Sequence, residues 1–440
     1  MTYPGAAELL RSRRYVGLLI LAAVLGVPIS AAAYGFLVLV SHLQRWVYDD
    51  LPGAFGFGSM PAWWPVPVLA IAGLLTGLAI RFLPGTGGHS PAGGFQPGTP
   101  KPVELPGVVL AALAGLGLGV VLGPEAPLIA LGGGLAVLAV SRRGSQGQAV
   151  AVVGAAGSFA AVSTLLGSPV VGAFLLMEVI GIAGPMMSVV LVPGLLASGV
   201  GTLIFIGLGQ WTGLGTLSLA IPDLPAVPIP DIAQFGWAIA IGVAAALVGT
   251  GIRRLALAIR SRAERWVVTS TIVAGVVVGL LATAYAAGSG RDAQEVLFSG
   301  QNALGPLLTQ SGTYSAGALV LLVVCKGLAY SVALATFRGG PIFPSMFIGA
   351  AGGIALSHLP GLPAVAGAAM GIGAMCAVLL GFPLTAVLLT TLFLGTDGMT
   401  VVPLVIVAVV VAYVVSARLN PAPAPTPAAA TPEPAVAARP

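Results

Sequence analysis

The sequence predicts an all-α polytopic membrane protein, and three observations predict it. Of the 440 residues, 57% are hydrophobic and only 7% are charged, 18 Lys and Arg against 13 Asp and Glu. A soluble domain carries about 25% charged residues, and a disordered chain combines low hydrophobicity with high charge, so both classes are excluded. Charge-free runs extend from Tyr15 to Gln44, Leu51 to Ile80, Leu105 to Pro124, Gly144 to Met177 and Gly339 to Thr396, and about 20 apolar residues suffice for one span. None of these runs alternates apolar with polar residues over about 10 positions, the pattern of a membrane β-barrel.

Taken in order, Arg11, Arg13 and Arg14 precede the first apolar run. No small-residue cleavage site with a polar mature region follows, so this run reads as a retained span and not as a signal peptide. Residues 1–14 are then a cytoplasmic N-terminus and 15–419 a transmembrane domain. The 63 Gly and 35 Pro break the long runs, so many helices must be short, tilted or half-crossing, with roughly 14–18 in all by length. Trp63-Trp64 suits the aromatic belt at a membrane interface. Residues 84–104, rich in Gly and Pro, and residues 289–314 read as loops. Arg253, Arg254, Arg260, Arg262 and Arg265 mark a cytoplasmic edge on the same side as the N-terminal cluster. From Asn420 the chain carries seven Pro among mostly Ala and Thr, a disordered cytoplasmic tail by composition.

The net charge of +5 does not indicate a nucleic-acid partner, because the basic residues flank apolar segments and act as topology signals. Cys325 and Cys376 lie apart in apolar segments, and His42, His89 and His358 are scattered. No metal centre, disulfide framework or cofactor site is indicated. The spans also lack the clustered acids and bases that an enzyme would need.

The chain repeats itself. Gly123-Pro124-Glu125-Ala126-Pro127 matches Gly340-Pro341-Ile342-Phe343-Pro344, each reads G-P-x-x-P, and each is followed by a Gly at the same distance, Gly132 and Gly349. Further on, Gly167-Ser168-Pro169 matches Gly381-Phe382-Pro383 in the same order at nearly the same offset. Two homologous halves, about 60–210 and 235–416, are the expectation, as in transporters built from inverted repeats.

Pro fits the first turn of a helix, where no N–H is required. Each G-P-x-x-P therefore reads as a loop entering a helix inside an apolar setting. A helix N-terminus presents unsatisfied N–H groups and roughly half a positive charge, an anion site with no fixed cation. Two such ends, one from each half, can face one anion. Glu125 is an acid in the first turn of one of them, and intramembrane acids are functional candidates by default. Its carboxylate would compete with an anion for that site and swing away when protonated. The plain alternative is a carboxylate that only caps its own helix. Glu178 reads as an interface group more than as a proton-transfer group, and Lys326 as structural pairing with an acid or a carbonyl. His89 and Ser90 stand between loop surface and pore lining.

On these residues the chain resembles the ClC family of chloride channels and chloride/proton antiporters. That family carries three loop-to-helix motifs, G-S-G-I-P, G-K/R-E-G-P and G-x-F-x-P. They are matched here by Gly87-Gly88-His89-Ser90-Pro91, Gly123-Pro124-Glu125-Ala126-Pro127 and Gly340-Pro341-Ile342-Phe343-Pro344. The resemblance implies an inverted-repeat fold, a homodimer in the lipid bilayer of the cell membrane, and one pathway per subunit for chloride or another small anion. It implies Glu125 as the gate, and anion binding around Gly88, His89, Ser90, Gly123, Glu125, Ala126, Ile342 and Phe343. The departures are specific. The family's Ser falls at Gly88, and its basic residue before the gating Glu is Pro124. Pro341 removes another amide donor, and the last motif's Phe position is Ile342. No Tyr matches the family's pore Tyr between Tyr413 and Asn420. The antiporters' inner proton-transfer Glu aligns with Val179, one residue after Glu178. The expectation is therefore a passive anion channel. The alternative is a chloride or fluoride antiporter coupled to protons, with Glu178 on the proton path.

Overall fold

The first charge-free run folds as one long helix, α2 (Arg13–Arg45), after a short α1 (Ala6–Arg11). This is seen in a computed structural model of the protein, which describes residues 6–95, 99–141, 148–181, 186–212, 221, 229–395 and 398–420. The proposed tail from 421 onward lies outside the described residues. Seventeen α-helical segments occur among the described residues, within the range expected from run lengths. The first half continues with α3 (Leu51–Ala54), α4 (Pro65–Phe82), α5 (Leu105–Gly117), α6 (Glu125–Ser141), α7 (Gln148–Leu166), α8 (Pro169–Ile180) and α9 (Met186–Thr212). After it come α10 (Ile232–Ala263), α11 (Val267–Ser289), α12 (Gln301–Thr309), α13 (Ala316–Thr336), α14 (Ile342–Leu356), α15 (Ala364–Leu380), α16 (Pro383–Leu394) and α17 (Val402–Leu419).

Gly and Pro set these boundaries. Pro65, Pro169 and Pro383 occupy the first turns of α4, α8 and α16, where a missing N–H costs nothing. Helices α8, α11 and α15 stop at Gly181, Gly290 and Gly381, all left-handed, at φ 64°, 70° and 77°, the usual helix stop. Among the described residues, seven helical stretches are long and apolar enough to cross a membrane, and seven apolar helices are shorter. Short and long pieces thus coexist, as the Gly and Pro clusters predict. Outward-facing Ile20, Leu203, Leu247 and Val273 are exposed, which suits a lipid environment.

Two sets of helices, α2 to α9 and α10 to α17, share one pattern of contacts. Helix α2 packs on α9 and α7 as α10 packs on α17 and α15, and α6 packs on α7 as α14 packs on α15. The contact between α7 and α8 is repeated by α15 and α16. Close approach is made by matched glycines. A Cβ added at Gly132 would run into the Gly157 carbonyl, and one at Gly349 into the Gly371 carbonyl. The halves are joined by α4 against α11, which run antiparallel with Gly73 and Gly77 beside Thr271 and Gly275 beside Leu69. The start of α2, the end of α4 and the end of α10 therefore share one end of the molecule. Arg13, Arg14, Arg81, Arg260 and Arg262 make it the basic end. At the opposite end Trp64 Nε1 donates to the Val47 carbonyl at 3.0 Å, with Trp63 exposed beside it.

Candidate functional site: a buried carboxylate between two helix starts

The two G-P-x-x-P segments meet. The Gly123 N–H donates to the Gly340 carbonyl at 2.7 Å, and the Gly340 N–H donates to the Gly123 carbonyl at 2.5 Å. This antiparallel bridge is the one β-contact among the described residues. It points α6 and α14 away from each other toward opposite ends, so both helix N-termini face the middle. The resting place of the Glu125 carboxylate needs glycine on both sides of the bridge, because a Cβ at either residue would collide with it.

Glu125, the first residue of α6, is fully buried. Its Oε1 accepts from the Phe343 N–H, in the first turn of α14, at 2.9 Å. Its Oε2 is buried with no hydrogen-bond partner. The carboxylate of one half thus occupies the N-terminus of the other half's helix. Behind it, on α13, the Tyr330 hydroxyl donates to the Pro341 carbonyl at 2.9 Å and lies 3.4 Å from Ser345 Oγ. Tyr330, Phe343 and Ile342 are all buried.

On the basic-end side of this centre lies a cavity of about 510 Å³. Its lining includes Gly88, His89 and Ser90 of the first motif, Ala126 and Pro127 of the second, and Pro341 of the third with Gly339 just before it. Residues of all three motifs thus line one cavity. Ser90 Oγ is buried there without a hydrogen-bond partner. The N–H groups of two of the expected anion-binding residues, Gly88 and Gly123, have backbone partners. The Gly88 N–H closes a turn onto the Gly85 carbonyl at 2.8 Å, and the Gly123 N–H is used in the bridge. Local geometry is the cause: Gly85 to Gly88 all have positive φ, Thr86 included at 49°, which folds the loop back on itself.

Glu178 lies far along the chain from Glu125, in the last turn of α8. Its carboxylate accepts from the N–H groups of Leu384 at 3.1 Å and Thr385 at 2.8 Å, and from the Thr385 hydroxyl. It caps the N-terminus of α16. The repeat explains the need. Ser168 caps α8 by accepting from the Val171 N–H at 3.3 Å, whereas its counterpart Phe382 carries no oxygen, so a neighbouring acid supplies the cap.

Lys326 is fully buried, and its Nζ donates to the carbonyls of Glu295, Val296 and Leu297 at 3.1, 3.0 and 2.8 Å. A weaker contact reaches the Phe298 carbonyl at 3.4 Å, and the ammonium lies 4.5 Å from the centre of the Phe347 ring. It fastens the loop before α12 to α13 and α14. Within that loop Glu295 accepts from Tyr285, from Arg291 at 2.9 Å and from Tyr314 at 3.3 Å. A larger cavity of about 770 Å³ lies at this opposite end, between α2 and residues 292–306. No residue of the three motifs lines it, so size alone does not make it the site.

Sequence reading did not single out Arg338. Its Nε donates to the carbonyls of Thr86 at 3.2 Å and Gly88 at 3.0 Å, and its Nη1 to that of Phe337 at 3.2 Å, at the wall of the basic-end cavity. The signal was present: Arg338 is the sole Lys or Arg between Lys326 and Arg418, directly before the third motif.

A protein from Salmonella paratyphi A, named "Putative ion-transport protein YfeO", is 30% identical over 381 residues, 84% of this chain and 86% of its own length. The fold is that of solved ClC proteins. A slow cyanobacterial Cl-/H+ antiporter superposes with a TM-score of 0.74 at 19% identity, over 91% of this chain and 94% of its own. A CLC-type fluoride/proton antiporter superposes with a TM-score of 0.63 at 21% identity, over 91% and 95%. The model of the voltage gated chloride channel family matches residues 95–417. The chain belongs to that family, the ClC family of anion transporters.

Proposed function

We propose that the protein carries chloride or another small anion across a membrane in exchange for protons, with Glu125 as the shared gate. The carrying observation is the Glu125 carboxylate at the start of α14, bonded to the Phe343 amide with one oxygen unpaired. Charged, the side chain holds the place where helix N–H groups would receive an anion. Protonated, it loses its negative charge, releases the amide and leaves the place to the ion. One group that is alternately bound by a proton and displaced by an anion couples the two movements. Ser90, His89 and Ala126 would line the inner approach, and Ile342 and Phe343 the site itself. The antiporter titles of two structures with this fold point the same way. A homodimer in a cell membrane with the basic end in the cytoplasm completes the reading.

A second reading, a passive anion channel, rests on Glu178. Val179 stands where an inner proton-transfer Glu would align, and Glu178 is bound as the cap of α16. One experiment separates the two. The purified full chain in liposomes is loaded with chloride, and anion efflux and internal pH are recorded together. Uphill proton movement driven by the chloride gradient establishes exchange. Chloride flux without proton movement replaces exchange by the channel, and absence of any anion flux rejects both. Fluoride in place of chloride reads the selectivity.

A further inference from the structure

The two helix starts at Glu125 are short of donors. A helix ordinarily leaves its first four N–H groups unpaired. Here each G-P-x-x-P motif puts one Pro directly before the helix and another at its third residue, Pro124 and Pro127 for α6, Pro341 and Pro344 for α14. Pro has no N–H. What remains is the amides of Glu125 and Ala126 on one side and of Ile342 and Phe343 on the other. The protein's own anion shows the shortage. An ionised carboxylate can accept about four hydrogen bonds, yet Glu125 Oε1 takes the Phe343 N–H at 2.9 Å and the buried Oε2 has no partner.

Side chains do not supply the missing donors. Two buried hydroxyls stand beside the first turn of α14, and both donate to one carbonyl, that of Pro341, Tyr330 at 2.9 Å and Ser345 at 2.5 Å. Ser90 Oγ, buried without a partner, belongs to the wall of the basic-end cavity, on the approach. The cations are engaged as well. Arg338 donates through Nε and Nη1 to the carbonyls of Thr86, Gly88 and Phe337, and Lys326 to those of Glu295, Val296 and Leu297. Ile342 and Phe343 themselves are apolar and buried. An anion that comes here must shed water, and that cost rises as its charge is held in a smaller radius. Selectivity then follows the number and strength of the dipoles offered in return. A few neutral amides can replace the loosely held water of a large, diffuse anion, and they fall short for a small one.

We infer that Pro124 and Pro341, by withholding one N–H each, make the Glu125 place favour weakly hydrated anions: thiocyanate, nitrate and bromide ahead of chloride, and fluoride last. This rests on the anion-transport reading for its consequence, whereas the order of binding does not depend on transport.

The test has two readouts on the full chain. In liposomes, uptake of the five anions is measured one at a time, above that of protein-free vesicles. In detergent, their binding to Glu125→Ala, in which the acid no longer takes the place, is measured by calorimetry. Thiocyanate, nitrate and bromide should lead chloride in both, with fluoride last. The backbone accepts Pro341→Ala, since φ is −93° and ψ −7°, and the variant regains an N–H. It should raise the chloride-to-thiocyanate ratio about fivefold, about 1 kcal/mol for one amide hydrogen bond, and Pro124→Ala should act in the same direction. Pro363→Ala, directly before α15, should leave the ratio unchanged. So should Ser345→Ala, because that hydroxyl is engaged by the Pro341 carbonyl. Chloride or fluoride ahead of thiocyanate in either measurement overturns the proposal. So does a ratio that Pro341→Ala leaves unchanged, or that Pro363→Ala shifts as much. A protein that binds the anions in this order and moves none of them keeps the selectivity and rejects the transport reading.

Discussion

Glu125 on α6 accepts a hydrogen bond from the backbone N–H of Phe343 on α14, 218 residues away, at 2.9 Å. Each half of the repeat thus contributes what the other lacks. The first half brings an acid and a Pro-interrupted motif. The second brings an apolar motif and the amide that receives the acid.

The sign of the pH response follows from that bond. An ionised carboxylate is the better acceptor, so deprotonation holds the gate in place and protonation frees it. Anion flux should rise as pH falls. Glu125→Gln keeps the shape without the charge and should give flux that no longer varies with pH, with proton movement abolished. Flux measured from about pH 4 to about pH 8, together with proton movement, checks this. A pH profile unaltered by the substitution removes Glu125 from the mechanism.

Gly340→Ala tests the same gate without touching the acid. Gly340 has an ordinary negative φ, since it is absent from the positive-φ glycines, so Ala is tolerated by the backbone. Its methyl group would overlap the Glu125 carboxylate. The side chain should be expelled and the variant should resemble Glu125→Gln, with pH-independent anion flux. Wild-type pH dependence in a folded Gly340→Ala protein would show that the carboxylate does not rest where the bridge places it.

Glu178 should behave as a helix cap. Glu178→Gln keeps part of the capping geometry and Glu178→Ala none. The loss is about 0.5–2 kcal/mol for a cap, read as a lower thermal midpoint in detergent, with the ratio of protons to anions unchanged. A normal midpoint together with lost proton movement would put Glu178 on the proton path instead.

Lys326→Met removes one ammonium from three close backbone carbonyls. Leaving buried carbonyls unsatisfied costs about 1–3 kcal/mol, so the thermal midpoint should drop clearly. Lys326→Arg adds bulk in a fully buried position and should not rescue it. An unchanged midpoint for Lys326→Met would mean that the loop 295–298 is held without the lysine.

The site was partly legible in the sequence. Glu125 was visible because an acid in a charge-free run is conspicuous, and the repeat was visible because Gly and Pro survive as punctuation. The convergence of three motifs on one cavity followed from their resemblance to a family. The commitment of the Gly88 and Gly123 amides was not legible, since whether an N–H is free depends on which carbonyl reaches it. Arg338 was overlooked because its neighbours in space, Thr86 and Gly88, are some 250 positions away.

The sequence by itself determined that this chain lives in a membrane, that it is helical, and that it is built twice. Those properties are additive along the chain: hydrophobic content, run length and the positions of Gly and Pro are fixed locally. The tertiary structure decided which N–H groups are spoken for, that Glu178 caps the helix its repeat partner Phe382 cannot, and that the first half's acid closes on the second half's helix. Those are pairings between distant residues, and each is settled only when packing brings one donor, and not another, within reach of one acceptor.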